Sequence, residues 1–334
     1  IYGGSFLSKI MSAGSGFSAK NICSGHFLSG MSGQKIISEV LLPAAPGLSK
    51  ISFEIDKVNR HVDTWFFGLA HRRAVFSEGT GCTLLRKGRE HMHRKLEIAP
   101  LSKRNTTLAW PQGSAPAVGN TLLDPLLEQA FAEPDPNMAR NTKAVVVIHK
   151  GQLIAEKYAQ GVTAYTPLPG WSMTKSVTNL LIGLLINDGK LRLAQSAPVP
   201  LWFEEIGDPR GKITIDQLLR MSSGLAFDEE YAVYGDVARM LSVEADAAGF
   251  AASKPLIAEP GSVWSYSSGT SNLLTRLVWD RLGGDTQALL DFFAAELAIP
   301  LGLGNTTLEL DASGVFVGSS YVYAPARDWA RLGL

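Results

Sequence analysis

Gly170-Trp171-Ser172-Met173-Thr174-Lys175 opens an apolar run that ends near Lys190, and the reading of the fold turns on it. A serine and a lysine three residues apart share one face of a helix, so the amine can take the hydroxyl proton. Val177, Leu180, Leu181, Leu184, Leu185 and Ile186 are apolar and Gly189 stands where a C-terminal cap belongs, so the pattern predicts a buried helix over 172–190. A serine at the start of such a helix feels the positive end of its dipole, which favours negative charge developing on oxygen. The same spacing recurs at Ser32-Gly33-Gln34-Lys35, but Ser32 sits between Gly30 and Gly33, where no helix is expected to fix the geometry. Spacing alone leaves a second reading open, with Ser172 as a plain helix cap and Lys175 as a surface lysine.

Composition narrows the function classes. The 334 residues are 46% apolar, enough for a sizeable core, and Lys+Arg and Asp+Glu balance at 31 each. No global field recruits nucleic acid or an anionic membrane, and no 18-residue apolar run spans a bilayer. The two cysteines, Cys23 and Cys82, lack metal-ligand spacing. They could pair in an exported protein, and in a cytosolic one they read as two separate buried thiols. No metal or cofactor is expected: His91-Met92-His93 reads as part of an exposed basic loop, Arg86 to Lys95. All six histidines precede Ser172 and no Gly-x-Ser-x-Gly elbow is present, which disfavours the usual order of a Ser-His-Asp hydrolase.

The chain divides near residue 115. Residues 1 to about 47, rich in Gly and Ser, read as irregular and partly extended with a short helix at 34–42. Residues 50–58, 62–69 and 73–77 read as strands, closed by a turn at Glu78-Gly79-Thr80-Gly81. A helix is predicted at 121–133, a hairpin at 143–158, and further helices at 215–221, 268–282 and 286–297. Helix, hairpin and a long helical region make an α+β fold with an antiparallel sheet flanked by helices, preceded by a β-rich extension over 1–115.

Downstream of Ser172 and Lys175, Tyr266 enters the tight loop Pro260-Gly261-Ser262-Val263-Trp264-Ser265-Tyr266-Ser267-Ser268-Gly269 just before a predicted helix. A phenol beside a lysine ammonium ionises more easily, and the pair can pass protons. Read alone, Tyr266 is more often a packing aromatic. Together, Ser172-x-x-Lys175 and Tyr266-Ser267-Ser268 resemble the serine hydrolases of the beta-lactamase and penicillin-binding-protein superfamily, and within it the class C-like branch with its esterases and 6-aminohexanoate-dimer hydrolases. Ile213-Thr214-Ile215-Asp216-Gln217-Leu218-Leu219-Arg220-Met221-Ser222-Ser223-Gly224-Leu225 is similar to a segment of that group. So are Leu310 to Gly314, Gly318-Ser319-Ser320 and Ala326 to Arg331, where the group's chain passes near its active site.

The resemblance covers residues 120–334 and implies a beta-lactamase/transpeptidase-like domain over 116–334. It implies that Ser172 attacks a carbonyl to give an acyl-enzyme, that Lys175 keeps it activated, that Tyr266 serves as general base and then acid, and that the Ser172 N–H is one oxyanion donor. Trp171 and Ser268 are implied substrate contacts, and Trp171, Trp202 and Trp264 suggest an apolar pocket. The partner is a small ester, amide or lactam; a domain that is acylated but turns over poorly is the alternative. Two departures stand out. Position 268 is serine where class C beta-lactamases carry asparagine, which favours an ester or amide over a lactam. The third family motif, with the second oxyanion donor and the strands that pair with the 143–158 hairpin, is expected beyond residue 334, so the chain reads as a fragment that is poorly active alone. Exported, periplasmic or membrane-anchored localisation in a bacterium follows from the same resemblance.

Overall fold

Four antiparallel strands, β1 (Ile51–Asp56), β2 (His61–Phe66), β3 (Ala70–Ser77) and β4 (Gly81–Leu84), pair in sequence order. The computed structural model describes residues 2–86, 96–97, 105–117, 121–135, 138–231 and 234–334. The sequence predicts three of these strands. The fourth stands where a closing turn was expected to end: Gly81, at φ +64°, lets the chain reverse, and Cys82 then pairs with Phe76.

The start of the chain corrects the sequence reading. Tyr2–Phe27 is one helix, α1, not an irregular segment. Glycine and serine lower helix propensity, but here they are contact surface rather than breaks. A Cβ on Gly14 would press Leu48 and Phe66 at 3.1–3.2 Å, and one on Gly25 would meet Ile36 at 2.8 Å. Ser15 Oγ donates to the Thr64 carbonyl on β2 at 3.0 Å. Small residues let α1 lie close on the sheet, and packing overrides propensity.

Cys23 and Cys82 form a disulfide, which replaces the reading of two separate thiols. The bridge sits in a core of Ala19, Ile22, Ile36, Leu41, Leu48, Val62, Ala74 and Leu84. One turn away the Lys20 ammonium pairs with Glu309, both fully buried. Glu309 also accepts from Ser24 Oγ at 2.7 Å and from the Cys82 N–H at 2.6 Å, and a Cβ on Gly81 would collide with it. Burial pushes the Lys20 amine below its ordinary range despite the opposing pull of Glu309. One carboxylate thus ties α1, β4 and the 305–324 region together. Of the predicted basic loop, residues 87–95 lie outside the described residues; Arg86 is buried, its Nε donating to the Glu244 carbonyl at 3.2 Å.

Beyond residue 120 come α2 (Asp124–Phe131), the hairpin of β5 (Ala144–His149) and β6 (Gln152–Tyr158), β7 (Leu168–Pro169) and α3 (Thr174–Asn187). The hairpin turns at Lys150-Gly151, at φ +49° and +75°. Then follow α4 (Ile215–Leu219), α5 (Asp236–Ser242), α6 (Ala247–Ala252), α7 (Ser268–Arg281), α8 (Thr286–Phe293), β8 (Thr307–Leu308), β9 (Val322–Ala324) and α9 (Ala326–Gly333). Gly189, at φ +70°, ends α3 as predicted, its N–H donating to the Ile186 carbonyl at 2.9 Å. The larger core packs Val177, Leu181 and Leu185 of α3 against Trp202, Ile213, Leu218, Leu273, Leu277 and Phe316. Trp202, proposed from sequence for a pocket wall, is core, its indole N–H donating to the Ala252 carbonyl at 2.9 Å.

β7, β9 and β8 form a small antiparallel sheet, whereas β5 and β6 pair with each other alone among the described residues. A groove of about 770 Å³ runs beside β5, lined by Val145, Leu168, Trp171, Met173, Tyr323 and Trp329. Arg327 of α9 reaches Glu156 on β6 and, at 2.7 Å, the Ser114 carbonyl. Burial raises the Glu156 carboxyl, but hydrogen bonds from Arg327, Tyr158 and the Ala117 N–H outweigh it and hold the group below the usual carboxylate range.

Two predictions follow from these ties. Reducing the Cys23–Cys82 bridge removes the cross-link on a 59-residue separation and lowers stability by roughly 2–4 kcal/mol. Thermal melts with and without reductant measure this, and thiol labelling of both cysteines in native, unreduced protein would contradict the bridge. Glu156→Gln costs about 1–2 kcal/mol at neutral pH, since it weakens charge-assisted hydrogen bonds in a partly buried ion pair. Because the folded carboxyl titrates below its unfolded value, this contribution is present above the ordinary glutamate range. The gap between wild-type and variant melting temperatures therefore closes as pH falls through the folded pKa.

Candidate active site

A 3-10 turn over Trp171–Met173 delivers the chain into α3. Trp171 holds φ +44°, a left-handed conformation that a bulky residue adopts only when its surroundings impose it. Three contacts do so. The Gly170 N–H donates to the Val322 carbonyl on β9 at 2.8 Å, the Trp171 ring lies 6.2 Å from Tyr321, and it stacks on Phe17 of α1 at 6.3 Å. Gly170 packs so tightly on the Trp329 indole of α9 that no side chain fits. Ser172 emerges from this turn exposed to solvent.

Lys175, in the first turn of α3, is half-buried. Its Nζ lies 3.2 Å from Ser172 Oγ, 3.2 Å from Ser268 Oγ and 3.0 Å from the Ser319 carbonyl oxygen. The Tyr266 ring centroid is 4.8 Å from the same nitrogen. Ser172, Lys175, Tyr266 and Ser268, chosen from sequence far apart in the chain, are therefore brought to one place, with Trp171 beside them. Trp264 is 70% exposed.

The segments around these residues explain the geometry. Ser267 caps α7 by accepting the Thr270 N–H at 3.1 Å, which sets Tyr266 just before the helix start. The loop before Tyr266 is held by the 221–224 segment: the Ser265 N–H donates to the Met221 carbonyl at 2.8 Å, and the Gly261 N–H to the Ser222 carbonyl at 2.7 Å. Gly318-Ser319-Ser320 crosses α3, where Thr178 Oγ1 donates to the Gly318 carbonyl at 2.8 Å. Ser32 and Lys35 form no comparable pair. Ser32 caps a short helix, Gly33–Ile36, and Lys35 Nζ turns away to the Gln160 carbonyl.

Ser268, proposed from sequence as a substrate contact, is fully buried. Its hydroxyl donates to Glu229 Oε1 at 2.6 Å and its N–H to Glu229 Oε2 at 2.7 Å. Glu229 is the member of this network that the sequence does not single out, and Gly318-Ser319-Ser320, expected near the site, contributes through the Ser319 carbonyl. Glu229 lies in Asp228-Glu229-Glu230, an acidic run that reads as a solvated loop, and a backbone carbonyl carries no side-chain signal.

The sequence model of the beta-lactamase family matches residues 127–334, more than half of the chain and all of this geometry except Phe17. The chain belongs to the beta-lactamase family. Among solved structures, the beta-lactamase-like fold is matched by a Bacillus anthracis protein given the name 6-aminohexanoate-dimer hydrolase, at TM-score 0.56 and 22% identity over 73% of this chain and 66% of that one. FmtA from Staphylococcus aureus follows at TM-score 0.48 and 15% identity, covering 63% of each chain. D-amino acid amidase from Ochrobactrum anthropi SV3 gives TM-score 0.43 and 18% identity over 55% of this chain and 62% of that one. The chain thus spans less than two thirds of the length of these structures. Comparison with curated protein sequences finds no match.

The packing that positions this beta-lactamase family site is testable through Gly170. Gly170→Ala should destabilise the protein by about 1–3 kcal/mol, because a methyl must displace the Trp329 ring. In a Trp329→Ala background the same substitution should cost little, which thermal melts of the four proteins measure.

Proposed function

We propose that the protein is a serine hydrolase that works through a covalent acyl-enzyme on a small ester or linear amide. The observation that carries this reading is the Lys175 amine at 3.2 Å from the exposed Ser172 hydroxyl, with the Tyr266 ring centroid 4.8 Å from the same nitrogen. Ser172 Oγ attacks the carbonyl carbon while its proton passes to Lys175. The carbonyl oxygen gains negative charge at the N-terminal end of α3, where the Ser172 N–H serves as one donor. Tyr266 relays a proton to the leaving alcohol or amine, and water then releases the acyl group.

Position 268 favours an ester or linear amide over a lactam. The Ser268 hydroxyl is buried and already bonded to Lys175 and Glu229, so it does not offer the paired donor and acceptor of an asparagine amide. The Cys23–Cys82 disulfide supports an exported or periplasmic site of action, where such bonds persist. The separate hydrophobic cores support treating residues 1–115 as an extension to a hydrolase domain over 116–334.

Side-by-side assays of the purified protein with a chromogenic ester, a linear amide dimer and a cephalosporin test the reading. Turnover of the ester or amide, with an initial burst, is expected. Tyr266→Phe should lower kcat by roughly 10²–10⁴ and Ser172→Ala should abolish the burst. A lasting adduct without turnover would instead favour a penicillin-recognising binding domain, and turnover surviving in Ser172→Ala would remove Ser172 from the reaction.

A further inference from the structure

We propose that Glu229 is a positioning residue that turns the Lys175 lone pair toward Ser172, acting through the Ser268 hydroxyl. The inference rests on the serine-hydrolase reading above and deepens it. A lysine nitrogen has four tetrahedral directions, and one is its own Cε. The other three meet Ser172 Oγ, Ser268 Oγ and the Ser319 carbonyl oxygen at 3.2, 3.2 and 3.0 Å. A carbonyl oxygen can only accept. A serine hydroxyl can donate or accept, and here Glu229 decides which. An ionised carboxylate has no hydrogen to give, and Glu229 takes both the Ser268 O–H, at 2.6 Å, and the Ser268 N–H, at 2.7 Å. The Ser268 oxygen then has only lone pairs to offer Lys175.

Both N–H bonds of a neutral Lys175 amine are therefore committed, one to Ser268 and one to the Ser319 carbonyl. The remaining direction faces Ser172 and must hold the nitrogen lone pair. In the reaction the Ser172 O–H bond breaks, a new N–H bond forms at that lone pair, and the serine oxygen bonds to the substrate carbonyl carbon, whose π electrons move to oxygen. Were Ser268 free to rotate, its O–H could donate to the lysine lone pair and leave Ser172 without a base. The wider frame keeps the arrangement in place. Ser319 is fixed by Asn272 of α7, whose Nδ2 donates to Ser319 Oγ at 3.1 Å and whose Oδ1 accepts the Ser319 N–H at 3.3 Å. Titratable groups face this point from two loops: Tyr266 from the loop before α7, and Glu229 and Tyr231 from the 226–231 loop. Burial, with the oxygens of Glu229 and Tyr266 nearby, raises the Tyr231 phenol above the usual tyrosine range.

Glu229→Gln tests the proposal because it keeps the shape and loses one acceptor. An amide NH2 opposite Ser268 Oγ donates to it and reverses the hydroxyl; opposite the Ser268 N–H, it sets two donors against each other. The pH profile of kcat/KM for a chromogenic ester is the readout, with thermal melts as a check on folding. An orienting role predicts that the plateau falls roughly 100-fold, as the loss of a proton-transfer route does, while KM stays near the wild-type value. It also predicts that Ser268→Ala shows a comparable fall, and that Glu229→Gln adds little in the Ser268→Ala background. Should Glu229→Gln fail to fold, Ser268→Ala alone must still lower the plateau. Three results overturn the proposal: an unchanged plateau with only the limbs of the profile displaced, a raised KM with unchanged kcat, or losses from Glu229→Gln and Ser268→Ala that multiply. Wild-type protein with no Ser172-dependent turnover would instead count against the hydrolase reading itself.

Discussion

A lysine amine has few ways to be satisfied away from bulk water, and the site is organised around that constraint. Lys175 Nζ meets oxygens from the turn before α3, from α7 and from the 318–320 segment, the last of them 144 residues away along the chain. Each of these groups is itself anchored: Ser268 by Glu229, Ser319 by Asn272, and Ser172 by a strained turn that β9 and α9 brace. Moving any of them leaves a buried polar group short of a partner, which costs more than the bond itself contributes. The larger core holds α3 and α7 rigid, and the polar network fixes which atoms meet.

The N-terminal helix is part of this arrangement rather than an addition to it. Phe17 stacks on Trp171, the residue before Ser172, and two turns of helix later Cys23 is bridged to β4. Between them Lys20 buries its charge against Glu309, a costly placement that is tolerated because the carboxylate accepts from three donors, the ammonium, the Ser24 hydroxyl and the Cys82 N–H, with the Tyr321 ring 4.3 Å from the ammonium. Gly81, with no side chain, leaves the space that Glu309 fills. The disulfide, the ion pair and the aromatic stack thus lie along one face of α1 and couple the four-stranded sheet to the turn that presents Ser172.

Much of the site was legible because its chemistry resides in side chains at recognisable spacings. Ser172 and Lys175 lie three residues apart on a helix, and Tyr266 sits at the mouth of another. The α+β order and the hairpin at 143–158 followed from burial periodicity and from the Lys150-Gly151 turn. What escaped were features that exist only once the chain is packed. The glycines and serines of α1 look like loop composition until the sheet and α5 lie against them. Glu229 looks like one of three loop carboxylates until Ser268 reaches it, and Ser319 acts through its backbone. Cys23 and Cys82 carried no local signal of pairing, since only the packing of α1 on the sheet brings their Cα atoms to 6.0 Å.

The account's central claim is that Lys175 makes Ser172, and no other serine, nucleophilic. Peptide mapping by mass spectrometry after treatment with a fluorophosphonate measures that directly. The account predicts one adduct per chain, on the peptide bearing Ser172, and none on the Ser32 peptide, whose lysine points elsewhere; Lys175→Met should lose the label while keeping the fold. Labelling of Ser32, labelling of Ser172 undiminished in Lys175→Met, or no adduct at all would contradict it.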